Sequence, residues 1–297
     1  MHHSPLRRRL LLATGGLPLA GIGSSVARAA DTAGGAEQEL AALEARSGGR
    51  LGVAARTAGS DARIVWRGAE RFAFCSTFKV IAVSTLLQRA SRQHGLLDKQ
   101  IAYSREDLVA YSPITEKHVA TGLDLAALCA AALQYSDNTA ANLILRELGG
   151  PAAVTAFARS IGDTQFRLDR WETALNSARP DDLRDTTTPA AMAQSLERLL
   201  LGEALGATGR ERLRDWMLGN TTGAARIRAG VPADWRVADK TGTGDYGSTN
   251  DIGVLWPPAR APIVLAIYFT QPQLDAKPRD DVLAQAARIV ATALTAQ

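Results

Sequence analysis

The chain has 297 residues, with 34 basic against 30 acidic side chains, a formal charge of +4 and a sequence pI near 9.3. Its 46% hydrophobic and 22% charged residues exclude a disordered chain. The length suggests about two domains and a core that needs neither disulfides nor metal, while a pI this basic invites a nucleic-acid partner unless the charge sits elsewhere.

The first 29 residues hold the excess charge. Arg7, Arg8 and Arg9 precede three leucines, an apolar stretch broken by Gly15, Gly16, Pro18, Gly21 and Gly23 runs to about Val26, and Ala27-Arg28-Ala29 follows. A basic, an apolar and an A-x-A region in that order make an export leader cut near Ala29. The stretch is too short and too broken to span a bilayer. An arginine pair one residue ahead of leucines resembles a twin-arginine signal, with the general secretory route as the alternative. The leader contains four arginines and no acid, so its removal leaves 30 basic residues against 30 acidic ones, a neutral mature chain. Neutrality removes the nucleic-acid reading, since phosphate affinity needs clustered Lys and Arg. No later apolar run is long enough for a membrane span. A soluble periplasmic protein is expected, without membrane association after cleavage, and nothing demands more than a monomer.

Residues 31–36 read as a linker, and 37–46 as a helix stopped by Gly48-Gly49. Strands are predicted at 51–55 and 64–66, and helices at 76–90, 123–133 and 138–148, the last ending at Gly149-Gly150. Pro151 opens another helix. Residues 163–187 have no periodicity, and a loop that long is functional or disordered. Helices follow at 188–201 and 211–218, strands at 235–239, 252–256 and 263–269, and a closing helix at 280–294. Strands therefore cluster at both ends of the chain and helices between them. The expected fold class is α/β: an antiparallel sheet flanked by helices, made from 30–70 and 219–297, with an inserted all-helical domain, 71–218, that carries a loop at 167–185. Short connections suit antiparallel pairing, and a cleft between two such parts favours a ligand site.

Three short motifs could carry chemistry. In Ser76-Thr77-Phe78-Lys79 the serine stands at a helix start and the lysine one turn on, on the same face. A serine hydroxyl needs a base, a lysine of lowered pKa can be one, and a helix amino terminus offers N–H groups to a developing oxyanion. Ser76 equally suits a plain helix cap. Ser136-Asp137-Asn138 has the same two readings. Lys240-Thr241-Gly242 ends a predicted strand, where glycines at 242, 244 and 247 either admit a substrate backbone or make a hairpin turn. Two cysteines, Cys75 and Cys129, make no zinc site, and their pairing is open.

Together these motifs, in this order, with Arg170-Trp171-Glu172-Thr173-Ala174-Leu175-Asn176 between the last two, resemble the class A serine β-lactamases from about residue 37 to the carboxyl terminus. Arg184-Asp185-Thr186-Thr187 and Asn250-Asp251-Ile252 are also similar to family text. The resemblance implies an enzyme that needs no cofactor or metal and takes a small β-lactam. Ser76 would form an acyl-enzyme, and Glu172 with Asn176 would hold the water that hydrolyses it. Lys79 or Glu172 would take the first proton, and Ser136 would protonate the leaving nitrogen. Lys240, Thr241 and Thr243 would meet the substrate carboxylate beside Gly242. The N–H groups of Ser76 and Thr243 would form an oxyanion hole, Asn138 would bind the side-chain amide, and Tyr111 would wall the entrance. Arg226 and Arg279 stand where members place a supporting guanidinium, and Arg170 and Asp185 where an ion pair closes the loop.

The chain departs from the family at three places. Many members have proline after the glutamate, with a cis bond; a cis bond to Thr173 costs about 2.5–4 kcal/mol, against about 0.5–1 for proline. The loop either holds that bond or takes another path, and a more mobile loop is expected. Some members bridge the position of Cys129 to one matched by Val83, and carbapenem-hydrolysing members bridge that of Cys75 to one matched by Gly244. Neither bridge can form, so two free thiols are expected and strong carbapenem hydrolysis is not. A D,D-peptidase-like penicillin-binding protein would share Ser76, Lys79, Ser136 and Lys240 but lack the deacylating glutamate; a β-lactam sensor would be acylated without turnover.

Overall fold

The computed structural model describes residues 1–2 and 22–296. The arginine run and most of the apolar stretch of the expected leader lie outside them. Helix α1 (Ile22–Ser47) carries the expected cut near Ala29. It also corrects one expectation: residues 31–36, a linker by sequence, are helical. Gly34 and Gly35 cost a helix about 1 kcal/mol each, and the turn they open buries Ala36, Leu40 and Leu43 in the core.

Strands β1 (Arg50–Thr57) and β2 (Arg63–Trp66) follow, then the two-residue β3 (Phe72–Ala73). Next come α2 (Phe78–Ala90), β4 (Gln100–Ile101), β5 (Leu123–Asp124), α3 (Leu125–Gln134), α4 (Asn138–Leu148) and α5 (Pro151–Ser160). After the long loop come β6 (Thr186–Thr187), α6 (Pro189–Leu200), α7 (Gly206–Leu218) and α8 (Ile227–Gly230). The chain ends with β7 (Arg236–Gly244), β8 (Ser248–Trp256), β9 (Ile263–Thr270) and α9 (Asp280–Thr295). Helix limits follow local chemistry. Asp124, Asp137 and Thr188 each accept an N–H of the first turn of α3, α4 and α6. Gly149, at φ 94°, ends α4 in a conformation glycine adopts freely.

Five strands pair antiparallel in the order β2-β1-β9-β8-β7, so first and last segments share one sheet. Its centre shows why. In β9, Val264, Ala266 and Tyr268 face the helices inserted between β2 and β7, while Ile263, Leu265, Ile267 and Phe269 face α1 and α9. Side chains alternate at period two, so a strand covered on both faces reads as an unbroken apolar run. Each buried valine, isoleucine, leucine or phenylalanine among them is worth about 1.5–3 kcal/mol. The result is a layered α/β fold with β7 at the sheet edge, against the helical layer.

Two features were not legible from the sequence. The 240–242 motif lies inside β7 rather than at a strand end, because β7 and β8 stay in register from Arg236 opposite Trp256 to Gly244 opposite Ser248. The β3–β6 pair, Phe72 with Thr187 and Ala73 with Thr186, is too short to show periodicity, yet it joins the segment before Ser76 to the end of the long loop.

Cys75 and Cys129 are free and buried. A Cβ placed on Gly244 would lie 2.7 Å from Cys75 Sγ, so these two positions face each other. Burial pushes both thiols up, which suppresses the reactive thiolate. We expect no labelling of the native protein by a thiol-specific disulfide reagent and two labelled thiols after unfolding without reductant. Fewer than two would mean that a bridge has formed.

Candidate active site

Ser76 lies in a single 3-10 turn, Cys75–Thr77, that runs directly into α2. Cys75 before it is left-handed, φ 46°, a conformation that a residue with a Cβ keeps only where its surroundings impose it. Thr77 Oγ1 donates to Phe74 O at 2.8 Å and Phe74 N donates to Asp185 O at 3.1 Å, which fixes the turn from both sides.

Around the turn five polar side chains are buried together: Ser76, Lys79, Ser136, Glu172 and Lys240. Ser76 Oγ donates to Glu172 Oε1 at 3.2 Å, and Lys79 Nζ stands 3.1 Å from the same oxygen. Lys79 also donates to Ser136 O at 2.7 Å and Asn138 Oδ1 at 2.6 Å. The Ser136 hydroxyl lies between two ammonium groups, 3.5 Å from Lys79 and 2.9 Å from Lys240. Burial pulls Lys79 below its ordinary value, against the pull of Glu172. Burial, and then the charge of Lys79, pull Lys240 well below 10.5. Two lysines and one carboxylate meet here in a region of low dielectric, where each charge acts strongly on its neighbours.

The long loop delivers Glu172, and its Glu172–Thr173 peptide bond is cis. Asn176 Nδ2 donates to Glu172 Oε2 at 2.6 Å from within the turn Ala174–Ser177. The backbone of Glu172 is gripped twice by Asn142, whose Oδ1 accepts Glu172 N at 3.0 Å and whose Nδ2 donates to Glu172 O at 2.9 Å. The sequence reading missed Asn142. Its signal was the four-residue spacing from Asn138, which puts both on one face of α4. At the neck of the loop, Asp185 is fully buried and accepts from Asp169 N, Arg170 N and Arg170 Nε, the last at 2.5 Å.

The rim is built by β7. As the edge strand it has backbone groups on its outer side that no strand among the described residues pairs. A Cβ on Gly242 would lie 2.7 Å from Phe74 O and 3.2 Å from Ser76 N, so only glycine lets the strand pack this closely on the turn. Thr241 Oγ1 shares a hydrogen bond of 2.5 Å with Thr222, also missed from sequence. Thr243 is exposed, and its Oγ1 accepts from Arg226 Nη2 at 2.8 Å. Arg226 is buried, ion-paired with Asp280 at 2.7 Å, and donates to Gly242 O and Asn250 O. Asn138 Nδ2 donates to Ala110 O, and Tyr111 O accepts Asn138 N at 3.0 Å, with the tyrosine ring exposed. Arg279 is not brought to this cluster. Its guanidinium pairs with Asp281 at 2.8 Å and reaches Ser47 O, because Asp281 lies two residues away and offers both oxygens.

This arrangement suits attack by an activated hydroxyl on an acyl carbon, with a second hydroxyl placed to move a proton and a cationic rim for an anionic substrate. The β-lactamase enzyme family matches residues 35–294. The chain is 55% identical to the β-lactamase OXY-1 of Klebsiella oxytoca, over 99% of this chain and all of that one. It is 58% identical to the β-lactamase CTX-M-8 of Citrobacter amalonaticus, over 86% and 87%. Among solved structures, a β-lactamase from Desulfarculus baarsii superposes with a TM-score of 0.88 at 56% identity, covering 89% of this chain and 99% of that one. A mutant of the class A β-lactamase of the last common ancestor of Gram-negative bacteria gives 0.85 at 57%, covering 88% and 98%.

Removing the carboxylate at the loop neck leaves two N–H groups without their acceptor and takes from Arg170 its close ionic partner, leaving it Ser177 Oγ and an Asp182 carboxylate 3.7 Å away. Asp185→Ala is expected to destabilise the protein by about 3–5 kcal/mol. Urea unfolding followed by tryptophan fluorescence checks this, and a loss under 1 kcal/mol would show that the neck does not depend on the pair.

Proposed function

Because the chain belongs to the class A β-lactamase family, we propose that it hydrolyses the β-lactam amide of penicillins and cephalosporins through an acyl-enzyme on Ser76, and so confers antibiotic resistance. One observation carries the reading: Ser76 Oγ and Lys79 Nζ converge on one oxygen of a glutamate whose other oxygen Asn176 holds. A peptidase-like or sensing relative has no use for that second, anchored base.

In the proposed reaction the Ser76 proton passes to Glu172 as the serine oxygen bonds to the lactam carbon. The N–H groups of Ser76 and Thr243 take the oxyanion. When the C–N bond breaks, the Ser136 hydroxyl gives its proton to the nitrogen and is recharged by the Lys79 ammonium, and Lys79 takes back from Glu172 the proton that came from Ser76, which returns Glu172 to a carboxylate. Glu172 then removes a proton from water, the hydroxide attacks the ester, and the proton returns to Ser76. Lys240, Thr241 and Thr243 hold the substrate carboxylate, with Arg226 acting behind Thr243. Asn138 meets the side-chain amide and Tyr111 walls the entrance. We propose further that residues 1–29 are an export leader, that the mature periplasmic chain is a monomer, and that it divides into 30–70 with 219–297 and an inserted 71–218.

A steady-state assay with a chromogenic cephalosporin tests the reading. Turnover is expected from the unmodified protein, whereas a peptidase-like protein or a sensor would bind one equivalent and stop. In Glu172→Ala, turnover should fall about 100- to 10,000-fold, as expected when a general base is lost; Lys79 remains to take the Ser76 proton, whereas nothing replaces the base for water, so mass spectrometry should find the acyl-enzyme accumulating. Unchanged turnover would remove Glu172 from the mechanism.

The lysines make a second test. A cation with a lowered pKa sheds its proton as pH rises, at a pH below its usual range. Once Lys240 is neutral the substrate carboxylate loses its partner, so kcat/KM should decline on an alkaline limb below pH 10.5. Lys240→Arg, which keeps its charge, should move that limb to higher pH. A limb that stays in place would exclude Lys240 as its source.

A further inference from the structure

We propose that Asn250 is a positioning residue for the oxyanion site, fixing the backbone N–H of Ser76 against β7. The inference rests on the acyl-enzyme reading above and concerns how its geometry is held. Asn250 is buried on β8, directly opposite Gly242 in the β7–β8 register. Its Nδ2 donates to Ala73 O at 2.9 Å and Phe74 O at 3.1 Å, the two carbonyls just before left-handed Cys75. Its own carbonyl accepts Arg226 Nη1 at 2.8 Å, and the same nitrogen donates to Gly242 O at 2.9 Å. One amide and one guanidinium nitrogen thus tie the segment before Ser76, β8 and β7 into a single frame.

The frame matters because an oxyanion site works through distance. Its donors must stand about 2.7–3.1 Å from the oxygen they stabilise. One donor, Ser76 N, belongs to the turn; the other, Thr243 N, belongs to β7. The gap between them is set by how closely Gly242 packs on Phe74 O and Ser76 N, where no slack exists. The turn is also under tension, since a non-glycine residue at φ 46° relaxes when released. Asp185 O restrains the turn through Phe74 N, and Asn250 supplies the restraint on the side of the sheet. A side-chain amide fits this task because both N–H groups leave from one nitrogen, so two successive carbonyls can be bound at once. Aspartate offers no donor and serine one.

The test uses the acyl-enzyme that Glu172→Ala accumulates, with a substrate carrying a ¹³C-labelled lactam carbonyl. Infrared difference spectra then report the ester carbonyl stretch, which moves to higher wavenumber as its hydrogen bonds weaken. Asn250→Ala added to this background is expected to raise the stretch and to slow acylation about 10- to 100-fold, as ångström-scale misplacement does. The dissociation constant of the substrate before acylation should stay unchanged. Asn250→Ser, which keeps one donor, should lie between the two and serves if the alanine variant does not fold. Leu199→Ala, a core truncation far from the turn in sequence, should lower Tm and leave the band in place. An unmoved band in the Asn250 variants, with no more slowing than Leu199→Ala, would overturn the inference. Failure of the unmodified protein to be acylated on Ser76 would instead overturn the acyl-enzyme reading, and the oxyanion site with it.

Discussion

Everything around the site depends on a single buried carboxylate oxygen. Glu172 Oε1 meets both a serine hydroxyl and a lysine ammonium where water is largely excluded. Taking the two charges out of water is costly, and their attraction offsets that cost only if the remaining donors and acceptors are satisfied. The surroundings supply those partners: Asn176 on the second oxygen, Asn142 on the backbone of the glutamate, and Asn138 and Ser136 on the ammonium. Asn138 and Asn142 each use both a donor and an acceptor, Asn176 its donor, and none of the three adds charge.

The same requirement explains the loop that carries Glu172. It lacks regular structure, so its stability comes from a few buried polar contacts at its neck and from β3–β6, which ties it to the segment leading into Ser76. Nucleophile and base therefore share a support: Phe74 N ends on Asp185 O, and Asp185 also holds Arg170. The edge strand β7 completes the site from the other side, where Gly242 brings backbone to backbone.

How much of this was legible depends on whether the cause was local. Helix α4 could be read to the residue, because Asp137 caps it and Gly149-Gly150 ends it. Strand β9 was visible as an apolar run. Residues 31–36 misled because a glycine pair reads as a break, while packing of Ala36 and Leu40 against the sheet keeps the helix going. Arg279 misled for a similar reason: sequence puts it near the right place, but Asp281, two residues on, captures its guanidinium. Asn142 and Thr222 stand in segments with no motif of their own, and Asn250 in one whose resemblance names no role; the importance of all three comes from partners 19 to 177 residues away.

The sequence by itself determined the family resemblance, the order of helices and strands, and the charge balance, in which a basic pI belongs to four arginines among the first 29 residues and the rest of the chain is neutral. Those properties are local: capping, periodicity and composition act over one or two turns. Only the tertiary structure decided which oxygen Ser76 and Lys79 share, which side chains hold Glu172, and where Arg226 and Arg279 point. These are contacts between segments far apart in the chain, chosen by which face of each element the core buries and which it leaves to the cleft.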